Sequence, residues 1–156
     1  MILSNADIVE LTAFRHALHR RPEVSGQEAE TAATLAAALP GADRMVAGFD
    51  GHGVAAVYDS GQPGPTVMIR SELDALPILE LSGVPHSSER PGSGHLCGHD
   101  GHSTILLGLA RLLSRQRPAR GRAILLFQPA EEDGSGAAAV LADPRFAALQ
   151  PDWALS

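Results

Sequence analysis

Apolar residues near the start of the chain fall at Ile8, Leu11, Phe14 and Leu18, a spacing that gathers them on one face of a helix. Ser4 and Asp7 stand three apart ahead of that run, the spacing of a capping box, and Pro22 follows it. A helix is therefore predicted from about Asn5 to Arg20. SGQE (25–28) has the same capping spacing and predicts a second helix through the alanine-rich stretch to Leu39, before Pro40 and Gly41. The period then changes. GVAAVYD (53–59) and TVMIR (66–70) read as strands around the turn SGQPGP (60–65). Helical spacing returns from Ser103 to Ser114, with Ile105, Leu106, Leu109, Leu112 and Leu113 as its stripe. AILLF (123–127) is apolar throughout, as a strand buried on both faces would be. GSGAAAVLA (134–142) predicts a small-residue helix, and DWALS (152–156) the start of another strand. Strands separated by helices give an α/β fold, a layered sheet flanked by helices, and 156 residues suit one domain.

Composition narrows the partners. A formal charge of −6 argues against nucleic acid or an anionic membrane, and RQRPARGR (115–122) reads as a solvated connection after a helix. The longest apolar run, AATLAAALP, is too short to span a bilayer, and the first residues lack the pattern of a signal peptide. One cysteine cannot close an intramolecular disulfide, so the cytoplasm is the expected compartment. All twelve Lys+Arg residues are arginines. Without an amine there is no Walker-type phosphate loop, no Schiff-base lysine and no pyridoxal-phosphate anchor. There is also no Gly-x-Ser-x-Gly elbow.

The chemistry gathers in three clusters. SELDALP (71–77) follows one predicted strand, PAEEDG (129–134) follows another, and HLCGHDGH (95–102) precedes a predicted helix. In open α/β sheets such junctions lie along one edge, where sites form. Cys97 and His99 are one residue apart in a glycine-containing turn, and a thiolate with a neutral imidazole suits zinc, manganese, cobalt or nickel. Of the consecutive acids Glu131 and Glu132, one can bind metal while the other takes a proton from water. Asp74 has the chemistry to hydrogen-bond a ligating imidazole. Bland readings stand beside these. A lone cysteine is commonly a small buried hydrophobe, paired acids commonly begin a helix, and Asp74 suits an ordinary turn. Cys97 as a nucleophile beside His99 or His102 is a third reading. Asp100 reads as a helix cap, His95 and His102 stay open, and His16, His19, His52 and His86 carry no spacing signal.

Four segments in order, LHRRPEVSGQEAET, IRSELDALPI, HLCGHDGHSTILLG and FQPAEEDGSGA, closely resemble the metal-dependent amidohydrolases. That group includes aminoacylases, hippurate hydrolases and hydrolases of auxin–amino-acid conjugates, relatives of the glutamate carboxypeptidase type of metallopeptidase. The resemblance covers nearly the whole chain. It implies a zinc-peptidase-like catalytic domain with two divalent metals (Mn, Zn, Co or Ni) per complete site and an N-acyl amino acid as substrate. By the same resemblance Cys97, His99 and Glu132 match metal ligands, Glu131 matches the general base, and Asp74 matches an aspartate that orients a ligand. Glu72 departs from it, since the family has the shorter aspartate there.

Length is the larger departure. Family members continue into a lid domain used for dimerisation and then into the rest of the catalytic domain, which holds two further histidine ligands. Asp152 matches an aspartate that precedes the first of these by six positions, two past Ser156. Residues 1–156 are thus expected to be a partial catalytic domain without the lid, either part of an N-acyl amino acid hydrolase or an inactive, partner-dependent module. Such a chain is expected to self-associate or to need a complementing chain.

Overall fold

The structure is a computed structural model and describes residues 2–156. Its first helix, α1 (Asn5–Arg20), has the predicted bounds, and Ser4 and Asp7 close the capping box reciprocally. The second, α2 (Ala29–Ala38), begins later than the SGQE spacing predicts, and neither Ser25 nor Glu28 caps it with its side chain. Glu23 does so instead, accepting from the Thr31 amide and hydroxyl at 2.7 and 2.8 Å. Strands β1 (Arg44–Phe49), β2 (Gly53–Asp59) and β3 (Thr66–Glu72) follow, then α3 (His99–Arg115), β4 (Arg122–Gln128), α4 (Gly136–Ala142), a 3-10 turn at Pro144–Leu149 and β5 (Trp153–Leu155).

The five strands lie in the order β1-β2-β4-β3-β5. β1 and β2 are antiparallel, as are β2 and β4, whereas β3 runs parallel to both β4 and β5. The sheet is therefore mixed, and the parallel pair β3–β4 ends both strands on the same edge. Alternation along β2 and β4 divides the core in two. Val54, Ala56, Tyr58, Leu125 and Phe127 face Leu11, Leu35, Leu106 and Leu107 of α1, α2 and α3. Ala55, Val57, Ile124 and Leu126 face Phe49, Val140 and Leu149 on the other side. β4 is buried on both faces, as its unbroken apolar run requires.

α3 starts at His99, four residues ahead of the predicted start, on the left-handed Gly98 (φ 98°). That brings the histidine of the glycine turn onto the first turn of a helix that buries Leu106, Leu107 and Ala110, whereas Ile105 of the predicted stripe is exposed. Among the described residues no helix is long and apolar enough to cross a membrane.

Candidate metal centre

The parallel pair β3–β4 delivers two acidic segments to one place. Beyond β3 lies the fully buried Asp74, and beyond β4 lie Glu131 and Glu132. α3 brings in His99 from the third side. Ligand atoms of Cys97, His99 and Glu132 all lie within 4.8 Å of one another.

His99 Nδ1 donates to the backbone carbonyl of Asp74 at 2.8 Å, which leaves Nε2 as the ring nitrogen open to a ligand. Nε2 faces Glu131 Oε2 at 3.7 Å, Glu132 Oε1 at 3.8 Å and Glu72 Oε2 at 3.9 Å. None of those is a hydrogen bond, and buried Glu132 Oε1 has no hydrogen-bond partner among the described residues. An imidazole nitrogen, a thiol and a carboxylate around a gap too wide for direct bonding fit a divalent cation. Asp74 supports the group from beneath. Its Oδ2 accepts from the Glu132 amide at 2.9 Å and from Ser25 Oγ at 2.7 Å.

The protonation of the metal-free site follows from these contacts. Burial works against a charged His99, but the Asp74 side chain and carbonyl outweigh it and push its pKa up to about 9. Burial likewise opposes ionised Asp74, yet its hydrogen bonds from His99, Glu132 and Ser25 bring it down to about 2. The Cys97 thiol is pushed up, first by burial of the sulfur and then by Glu132 beside it. A nucleophilic cysteine needs the opposite shift, so this environment disfavours a cysteine-nucleophile mechanism.

Several arrangements went unread in the sequence. Glu72, with its longer arm, accepts from His102 Nδ1 at 2.9 Å and pairs with Arg70 at 2.7 Å. Asp100 does not cap α3. It is buried, and its Oδ2 meets His19 Nδ1 at 2.7 Å and Arg15 Nε at 2.9 Å. His95 is buried with neither ring nitrogen hydrogen-bonded. His16 stacks on His86 with ring centroids 3.8 Å apart, away from the acidic pair. RQRPARGR connects α3 to β4, where Arg117 lies over Tyr58 and bonds Asp43.

Comparison with known proteins gives this arrangement a lineage. The model of peptidase family M20/M25/M40 matches residues 68–156, which carry most of β3, the Cys97–His99 turn and both glutamates. The chain belongs to that family. The N-acetyl-L-cysteine deacetylase of Bacillus subtilis (strain 168) is 40% identical over 136 residues, covering 86% of this chain and 33% of the relative. An IAA-amino acid hydrolase of Arabidopsis thaliana, ILR1-like 5, is 39% identical over 132 residues, covering 81% and 29%. Among solved structures, the Bacillus subtilis YXEP protein, described as a dinuclear metal binding peptidase of the M20 family, superposes with a TM-score of 0.83. It is 36% identical, over 89% of this chain and 40% of its own. The chain thus spans about a third of the length of the curated relatives it matches. The M20 resemblance and the α/β sheet expected from the sequence both hold.

Proposed function

We propose that this M20 chain carries part of the metal centre of a hydrolase that cleaves the amide bond of N-acyl amino acids. Supporting the reading is one observation above the rest: His99 Nε2, freed by the Nδ1 bond to Asp74, faces carboxylates across a gap no hydrogen bond spans. Cys97, His99 and Glu132 are the residues that would hold a divalent cation. Bound there, the cation would polarise an amide carbonyl and acidify water. Glu131 is the general base. Its Oε2 lies 3.7 Å from His99 Nε2, and its side chain is 38% exposed, so water and substrate reach it while Glu132 sits deeper. In this role Glu131 Oε2 takes a proton from water and returns it to the departing amine. Asp74 fixes the tautomer and orientation of His99 and aligns Glu132 through its amide.

Substrate class follows the named relatives, an N-acetyl-L-cysteine deacetylase and an IAA-amino acid hydrolase, both acting on acylated amino acids. Ligand atoms of Glu72, His99 and His102 form a second group within 4.8 Å of one another, but it shares His99 with the first, so the 156-residue chain is expected to hold one cation tightly and to turn over slowly. The test is turnover of N-acetyl and N-benzoyl amino acids with Mn²⁺, Zn²⁺ or Co²⁺, beside Glu131→Gln. Loss of a general base lowers the rate by about 10²–10⁴. Equal rates in the two proteins would leave the chain a non-catalytic module of such an enzyme.

A further inference from the structure

Glu28 has a fully buried carboxyl group, and among the described residues its Oε2 has no hydrogen-bond partner. Burying a carboxyl with one oxygen unpartnered is costly, so its single bond matters. Glu28 Oε1 accepts from the backbone amide of Ala130 at 2.8 Å, across 102 residues of sequence. Ala130 holds φ at 49°, the left-handed region that a residue with a Cβ avoids. It stands directly before Glu131 and Glu132. The same turn is closed on its other side by the Gly136 amide, which donates to the Ala130 carbonyl at 2.9 Å. Ser25, three residues before Glu28, donates to Asp74, the acceptor of the Glu132 amide. SGQE thus reaches both segments that carry the acids.

We propose that Glu28 is a positioning residue: its bond to the Ala130 amide holds the left-handed turn that aims Glu131 and Glu132 at His99. The inference rests on the metal-centre reading above and adds to it a residue that touches neither metal nor substrate. Three variants test it: Glu28→Gln keeps an acceptor, Glu28→Met fills the space without one, and Glu28→Met with Ala130→Gly lets the turn form unaided.

Co²⁺ is titrated into each protein and followed by the absorbance of cobalt bound to the Cys97 thiolate, while thermal melts report stability. Glu28→Met is expected to weaken Co²⁺ binding about tenfold or more while melting close to the unaltered chain, because removing a buried carboxyl with an unpartnered oxygen offsets the Ala130 amide left without its acceptor. Glu28→Gln should bind within about threefold of the unaltered chain, and the added glycine should recover most of the Met loss. A merely structural Glu28 would lose affinity and stability together. Undiminished binding by Glu28→Met overturns the inference, as does a loss that neither glutamine nor glycine restores. No Co²⁺ binding by the unaltered chain would remove the metal centre itself and this inference with it.

Discussion

His95 sits against Asp100, His19 and His99, and the cost of charging it in that buried place brings its pKa down to about 4. In the unfolded chain it titrates near 6.5. A depressed folded-state value means that the stability from its neutral form is complete above about 6.5 and is lost as pH falls toward 4. The difference is worth roughly 3 kcal/mol. Asp74 fails later, since its value of about 2 moves its loss below the ordinary carboxylate range. His99 works the other way: raised to about 9, its contribution is complete below 6.5 and is lost as pH rises through 9. The metal-free chain should therefore lose stability between about pH 6.5 and 4.5, and His95→Leu should flatten that slope by about 2 kcal/mol. Guanidinium unfolding of both proteins at the two pH values measures it, and parallel slopes would sink the assignment. The ligand candidates were legible because Cys97 and His99 share one glycine turn. Ser25 and Glu28 were not, because their spacing also fits a local cap, and their real partners lie 49 and 102 residues away.

Among the elements, α1 was readable to the residue because its stripe and its capping box are both local. The strand β1, RMVAGF, mixes polar and apolar positions at the sheet edge, and only its pairing with β2 defines it. β4 and α4 are joined by the turn that aims the acids, and Gly136 makes that turn feasible. A Cβ at Gly136 would fall 1.7 Å from the Pro129 carbonyl oxygen, far inside contact distance, and the obstructing atom is backbone that cannot rotate away. Gly136→Ala is expected to cost on the order of 3 kcal/mol and to abolish Co²⁺ binding, since opening the turn displaces Glu131 and Glu132. Gly101 is the contrasting site, because a Cβ added there would meet nothing within 4 Å. Gly101→Ala in the first turn of α3 should hold or raise the melting temperature. Similar melts for the two variants would show that the turn yields more easily than its geometry implies.

At the scale of the molecule, layering followed from the alternation of periods, but strand order did not. β4 inserts between β2 and β3, a non-local choice that no run of residues announces. The same arrangement leaves apolar surface outside. β5 is a three-residue edge strand whose Trp153 and Leu155 are 68% and 59% exposed. On the helical side, a groove of about 700 Å³ between α1 and α3 is lined by Leu3, Ile8, Leu11, Ile105 and Leu109. An open strand edge beside exposed apolar side chains templates pairing with another chain. A net charge of −6 opposes association only weakly, because charges beyond about 10 Å are screened at ordinary salt. The chain is therefore expected to self-associate as its concentration rises, more so in added salt. Trp153→Lys, which puts a charge on the edge without touching the two cores, should shift the association several-fold toward monomer while Co²⁺ binding stays unchanged. Sedimentation velocity across a concentration series measures both effects. A monomer throughout would refute the self-association, and an association indifferent to Trp153→Lys would move the contact away from β5 and leave the α1–α3 groove as the surface to alter next.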